Sequence, residues 1–140
     1  MVDPALVARL RGATLETLLD AAPAGPLATR HATLLGALFE SLVTQDVRTY
    51  AQAAEARVGH VRTRNGDHEV DLVVERADGR VVAIEVKLTS TIRDADVGHL
   101  RRLADRVGGV LLDAIVVSTG PYAYRRPDGI GVVPAALLGP

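Results

Sequence analysis

The stretch that decides the fold is EVDLVVERADGRVVAIEVKL, residues 69–88. It predicts two β-strands, Glu69–Arg76 and Arg80–Leu88, joined by a tight turn at Asp78-Gly79. The second strand carries β-branched residues on both faces, which is typical of a central strand covered on both sides in an α/β fold. Because strands joined by so short a turn are antiparallel, the start of the first lies beside the end of the second.

The charged residues of this hairpin form the main candidate site. Glu85 and Lys87 are two residues apart, so their side chains leave the same face of the most apolar strand in the chain. Two charges placed there cost several kcal/mol each unless they are paired or bind a metal. The antiparallel pairing makes Asp71 a neighbour of Glu85, and two adjacent carboxylates repel unless they share a proton or a cation. A divalent cation, Mg²⁺ or Mn²⁺, resolves this conflict. A structural ion pair is the alternative, but it does not require Asp71.

Composition limits the function classes. The 140 residues fit one domain, and the absence of cysteine excludes disulfides and thiolate metal sites. A net charge of −1 argues against a protein that holds nucleic acid by bulk electrostatics alone. No apolar run approaches the ~20 residues that span a bilayer, so we expect a soluble cytoplasmic protein without membrane contact. Lys87 is the one lysine among 16 cationic residues, which indicates a position where an ammonium group matters.

The rest of the chain predicts helices and strands in the order α-β-β-β-α-β, a mixed central sheet flanked by helices. Residues 1–28 form a helical leader, and residues 29–140 form the main domain. In the leader we predict a helix from Pro4 to about Leu10, a helix from Thr14 to about Asp20 and a linker over Ala21–Leu27. Before the central hairpin we predict a long helix over Thr29–Ala56 and a strand over Arg57–Arg64 with a hairpin turn at Asn65-Gly66. After the hairpin we predict a helix over Asp94–Val107, a strand over Ala114–Ser118, a closing edge over Tyr122–Val133 and a short helix over Pro134–Leu138.

Taken together, these motifs resemble a known superfamily. A glutamate on a helix at Glu40, then E-V-D at 69–71 and E-V-K at 85–87, resembles the PD-(D/E)XK nucleases, with Val70 in place of the nominal proline. More narrowly, G-A-L-F-E (36–40), R-T-R-N-G-D-H-E-V-D (62–71) and I-E-V-K (84–87) have close counterparts in the domain of unknown function at the C-terminus of many bacterial AAA-type ATPases. The resemblance implies a restriction-endonuclease-like α/β core.

The resemblance also implies roles for individual residues. Asp71 and Glu85 would bind Mg²⁺ or Mn²⁺ directly, with the backbone carbonyl of Val86 as a third ligand. Lys87 would be the catalytic lysine, and Glu40 would complete the site through a water on the metal. A partly exposed helix charge is the alternative for Glu40.

The expected function is Mg²⁺-dependent hydrolysis of phosphodiester bonds, with DNA as the expected substrate. The alternative is a non-catalytic module that binds nucleic acid or regulates the ATPase. Arg62 and Arg64 precede the site and are candidates for phosphate contact. His68 is a candidate for steering substrate, although a hairpin histidine is more often merely solvated.

The resemblance implies partners outside this chain. The chain opens at Val2-Asp3-Pro4, where the resembling proteins are already several hundred residues along. We therefore expect either a piece trimmed from a longer protein or the product of a naturally truncated gene, with the ATPase part missing, and we favour the trimmed piece. Homodimers are common in the superfamily, so a second copy of the chain is a further candidate partner.

Overall fold

The computed structural model describes residues 3–19, 26–62 and 69–139, apart from the side chains of residues 26–32. The chain divides into two compact units, Met1–Leu42 and Val43–Pro140. The predicted turn at Asn65-Gly66 and most of the predicted linker lie outside the described residues. In the part of the chain that is described, no helix is both long and apolar enough to cross a membrane.

The first unit contains two short helices, α1 (Pro4–Leu10) and α2 (Leu15–Leu19). Asp3 caps α1, because its carboxylate accepts the backbone N–H of Ala5 at 2.7 Å. Both helices begin where the sequence predicts them, after an aspartate and a threonine whose side chains favour helix starts.

A long helix, α3 (Pro26–Ala53), continues from the first unit into the second. It begins three residues earlier than predicted, so the linker prediction over Ala21–Leu27 is wrong at its end. Proline is tolerated in the first turn of a helix, where its missing N–H needs no partner. Farther along α3, Val43, Val47 and Ala51 recur every four residues and are buried.

The second unit is built on a six-stranded mixed sheet of β1 (Arg57–Arg62), β2 (Glu69–Glu75), β3 (Val81–Val86), β4 (Leu111–Ser118), β5 (Tyr124–Arg125) and β6 (Gly131–Pro134). The strand order is β1-β2-β3-β4-β6-β5. Strands β1, β2 and β3 are antiparallel, β3, β4 and β6 run parallel, and β5 is antiparallel to β6. This confirms the mixed α/β sheet flanked by helices.

The turn between β2 and β3 is the predicted one. The N–H of Arg76 donates to the carbonyl of Arg80 at 2.9 Å, which closes the hairpin. Gly79 has a φ of 79°, a value that glycine adopts without steric penalty. The Asp78-Gly79 pair therefore sets the antiparallel pairing on which the neighbourhood of Asp71 and Glu85 depends.

The connection from β3 to β4 carries a helix, as two parallel neighbouring strands require. A 3₁₀ turn over Asp94–Val97 leads into α4 (Gly98–Val107), so the predicted helix is present with a tighter first turn. Strand β4 begins at Leu111 instead of Ala114, because only a 3₁₀ turn separates it from α4. The predicted C-terminal helix is likewise a single 3₁₀ turn, Ala135–Leu137.

Helix α4 covers one face of the sheet. Its Leu100 is fully buried and belongs to one apolar cluster with Ala83 of β3, Val116 of β4 and Val132 of β6. Burial of these side chains is the main favourable contribution to the free energy of packing α4 on the sheet, at about 25 cal/mol per Å² of apolar surface removed from water. The core fixes β3 and β4 beside α4, and β3 carries the candidate site.

Candidate active site

Glu85 and Lys87 form an ion pair at the end of β3. Glu85 lies two residues beyond Ala83 and is in register with Val116 of β4, so its side chain leaves the sheet on the α4 side. Only 6% of the Glu85 side chain is exposed. Its Oε1 accepts a hydrogen bond from the Lys87 ammonium at 2.8 Å. Its Oε2 is buried and has no hydrogen-bond partner among the described residues.

Asp71 reaches the same place from β2. Its Oδ2 accepts the backbone N–H of Val86 at 2.8 Å. Among the described residues, the pairing of β2 with β3 runs from Glu75–Val81 to Leu72–Ile84 and ends there. The Asp71 carboxylate thus accepts an N–H beyond the end of the backbone ladder, next to Glu85.

A β-bulge explains how Asp71 is directed. Between two registered pairs of the β1–β2 ladder, β1 advances two residues, from Gly59 to Val61, while β2 advances three, from Val73 to Val70. The extra residue is therefore on β2, at Asp71 or its neighbour Leu72. A bulge changes the direction of side chains and ends regular pairing, and bulges are common beside functional sites.

The charges of the site influence one another. Burial raises the pKa of Glu85, and the charge of Asp71 adds to this shift; the hydrogen bond from Lys87, the charge of Lys87 and the nearby backbone N–H of Asp71 oppose it. Burial by itself lowers the pKa of Lys87, but its hydrogen bond to Glu85 and the charges of Asp71 and Asp96 outweigh burial and raise it. Lys87 is therefore a stable cation near neutral pH and is not suited to be a general base.

The oxygen atoms at this corner suit a hard cation. The orphaned Oε2 of Glu85 is a buried acceptor that a cation would satisfy, and Asp71 supplies a second carboxylate. The Val86 carbonyl belongs to the peptide that joins Val86 to Lys87, and the N–H of this peptide donates to the carbonyl of Val117 at 2.9 Å, which fixes its orientation. Within the described ranges, no group of three or more His, Asp and Glu side chains is arranged to hold a metal. A site here would therefore combine two carboxylates with carbonyl or water oxygens.

The other candidates from the sequence are placed as follows. Glu40 lies on α3 in the first unit and is exposed; its role stays a prediction. Arg62 is exposed at the end of β1 and pairs with Glu69 at 3.2 Å. Arg64 and His68 lie outside the described residues.

Two residues before and within α4 belong to this neighbourhood and were not among the predicted site residues. Asp96 contributes to the raised pKa of Lys87, and its own Oδ2 accepts the backbone N–H of Arg93 at 2.8 Å. His99 accepts the backbone N–H of Glu69 at its Nδ1 atom, at 3.0 Å. The amphipathic pattern of residues 94–107 shows only which residues avoid the apolar face. It does not reveal contacts with strands that lie far away in sequence.

The fold and this corner of the sheet define a mixed α/β domain with a carboxylate near the start of β2 and a carboxylate and a lysine at the end of β3. Residues 35–138 match the family described as Domain of unknown function (DUF4143), and the chain belongs to that family. The match includes all four predicted catalytic residues. It confirms the prediction of a domain of unknown function. No curated protein matches the chain.

Proposed function

We propose that this domain binds a divalent cation, Mg²⁺ or Mn²⁺, at Asp71 and Glu85 and hydrolyses phosphodiester bonds, with DNA as the expected substrate. The observation that carries the proposal is the buried Oε2 of Glu85, which lacks a hydrogen-bond partner among the described residues. A buried acceptor left without a partner costs about 1–3 kcal/mol, and more when it is charged. A bound cation removes that cost and also offsets the repulsion between the two carboxylates.

Each residue of the site has a distinct task. Asp71 and Glu85 would hold the cation, and Asp71 also accepts the backbone N–H of Val86. The third expected ligand is the Val86 carbonyl, whose peptide is held by the hydrogen bond from the Lys87 N–H to the carbonyl of Val117. When bound, the cation supplies positive charge beside the phosphate and lowers the pKa of a water. Lys87 donates to Oε1 of Glu85 and leaves Oε2 available for the cation. Its charge is suited to stabilise negative charge that develops on the phosphate.

The assignment to the PD-(D/E)XK superfamily and its restriction-endonuclease-like fold is part of the same proposal. The support is the order α3-β1-β2-β3-α4-β4 within the chain, with Asp71 near the start of β2 and with Glu85 and Lys87 at the end of its antiparallel neighbour β3. The partners proposed with it are nucleic acid, an ATPase to which this domain would be joined, and a second copy of the chain. The proposed location is the cytoplasm.

A second candidate function is a non-catalytic module that binds nucleic acid or regulates an ATPase. The observation that favours it is the direct ion pair between Glu85 and Lys87 at 2.8 Å, which needs no cation. Under this alternative, the carboxylates are structural and Lys87 has no turnover to support. The two candidates therefore differ in metal binding and in the effect of replacing Lys87.

The test is calorimetric titration of Mn²⁺ into the wild type, Asp71→Asn and Glu75→Gln. Asp71→Asn keeps an acceptor for the Val86 N–H but removes the charge, whereas Glu75 is an exposed carboxylate on the same strand. We expect the wild type and Glu75→Gln to bind equally, and Asp71→Asn to lose at least about tenfold in affinity. Equal binding by all three proteins, or no binding by the wild type, would overturn the metal site.

Cleavage assays on duplex DNA, single-stranded DNA and RNA then test the enzyme. With Lys87→Met we expect Mn²⁺ affinity within a few-fold of the wild type and a loss of cleavage of about 100-fold or more. Metal binding without cleavage of any of these nucleic acids by the wild type would favour the binding module.

A further inference from the structure

The first residue of β2 has an unusual partner. Glu69 pairs with Arg62 of β1 on one side. Its backbone N–H donates to Nδ1 of His99, the second residue of α4, at 3.0 Å. The imidazole thus accepts a strand N–H that lies beyond the end of the described β2–β3 ladder at Leu72–Ile84.

This contact is chemically specific. A nitrogen that accepts a hydrogen bond carries no proton, so the imidazole proton of His99 is on Nε2. A half-buried backbone N–H without an acceptor is unfavourable by roughly 1–3 kcal/mol. The imidazole therefore satisfies a group that the end of the ladder leaves unpaired, and it joins α4 to β2.

Two hydrogen bonds lie just beyond Leu72–Ile84, where the backbone pairing of β2 with β3 ends. One is the N–H of Glu69 to His99, and the other is the N–H of Val86 to the carboxylate of Asp71. Only Val70 separates Glu69 from Asp71, so a shift at Glu69 is transmitted directly to the bulge that directs the carboxylate. His99 is therefore connected to Asp71 by its hydrogen bond to Glu69 and by the short stretch Glu69-Val70-Asp71 of β2.

We propose that His99 is a positioning residue of the carboxylate site. By accepting the Glu69 N–H it fixes the start of β2 to α4 and holds Asp71 against the Val86 N–H, next to Glu85. The role in metal binding rests on the proposed function, because it takes Asp71 as a ligand. The role in holding Asp71 does not, and it is tested without metal.

The experiment compares His99→Phe with His99→Asn. Phenylalanine keeps a ring but has no acceptor, whereas the asparagine oxygen stands on the γ carbon, as Nδ1 does. Hydrogen exchange measured by NMR in the metal-free protein follows the amides of Glu69 and Val86, with Val116 as a core reference. In His99→Phe we expect the first two amides to exchange at least about tenfold faster and Val116 to stay unchanged. In His99→Asn we expect all three to remain within about threefold of the wild type.

Mn²⁺ titration gives the second readout, with an expected loss of about tenfold or more for His99→Phe and little change for His99→Asn. An unchanged Val86 amide in His99→Phe would overturn the proposal, because Asp71 would then keep its place without His99. If the Val116 amide also exchanges faster in His99→Phe, the variant His99→Leu, whose side chain is smaller, takes the place of His99→Phe in the same comparison. A wild type that binds no Mn²⁺ would refute the metal site alone, since the exchange data still decide whether His99 holds Asp71.

Discussion

Replacing Glu85 by glutamine should stabilise the metal-free domain. The Glu85 side chain is almost fully buried, one of its oxygens is paired with Lys87, and the other has no partner among the described residues. Burying a charge costs several kcal/mol, and a single ion pair recovers only part of it. Glutamine keeps the shape and an oxygen that accepts from Lys87, and it also removes the repulsion with Asp71.

The expected gain is a balance of opposing contributions. Glu85→Gln exchanges a buried charge whose second oxygen is unpaired for a neutral amide, a gain of roughly 2–3 kcal/mol, and weakens the hydrogen bond from Lys87 by about 1 kcal/mol. We expect the free energy of unfolding to rise by about 1–2 kcal/mol, which corresponds to roughly 4–8 °C in Tm for a chain of this size. Glu75→Gln, which changes an exposed carboxylate, should stay within about 0.5 kcal/mol of the wild type.

The gain should depend on pH in a defined direction. Because burial raises the pKa of Glu85, the folded protein keeps this proton at pH values where the unfolded chain has released it. The stability that Glu85 contributes is fully present below about pH 4 and is lost as the pH rises through its folded pKa. Glu85→Gln should therefore match the wild type near pH 4 and exceed it at pH 8.

Thermal melts at both pH values, with and without Mn²⁺, form the assay. At a Mn²⁺ concentration 100-fold above Kd, the wild type should gain about 2.7 kcal/mol by mass action and the variant much less. Addition of metal should therefore reverse their order. If Glu85→Gln were no more stable than the wild type at pH 8 without metal, or if its advantage were equal at pH 4, the buried charge of Glu85 would not destabilise the metal-free domain.

Two further predictions concern the framework around the site. Arg126 is mostly buried and pairs with Asp94 and Asp128, so Arg126→Met should lower the free energy of unfolding by about 2 kcal/mol in urea denaturation; a loss below about 0.5 kcal/mol would show that these pairs are too solvated to matter. Leu100 is fully buried against the sheet, so Leu100→Ala should cost about 3 kcal/mol by the same measurement; a loss below about 1 kcal/mol would contradict the assigned core.

The sequence predicts the central hairpin well because its signals are local. Alternating apolar residues, the Asp78-Gly79 turn and β-branched residues on both faces define β2 and β3 within a residue or two of their observed ends. The antiparallel pairing follows from the short turn. The position of Asp71 beside Glu85 then follows from this pairing, whereas the contact of its carboxylate with the Val86 N–H also depends on the bulge.

The features that escaped prediction depend on distant residues. The bulge on β2 is visible only once β1 is paired beside it, because no residue between Val70 and Val73 is a bulge signal such as glycine. His99 lies thirty positions from Glu69, and a single histidine on an amphipathic helix carries no information about a strand amide. Helix α3 starts early for a simpler reason, since proline at position 26 suits a linker and a first helical turn equally.

Three irregular features meet at one corner of the sheet: the bulge, the buried Oε2 of Glu85 and the imidazole that accepts a strand N–H. Neither the bulge nor the buried Oε2 favours folding, because a regular ladder with an apolar residue at position 85 would satisfy the same backbone and avoid burying a charge. A purely structural pair between Glu85 and Lys87 would need neither Asp71 nor the bulge. Departures from local consistency concentrate at functional sites. Their coincidence around two carboxylates therefore favours cation binding over a structural ion pair.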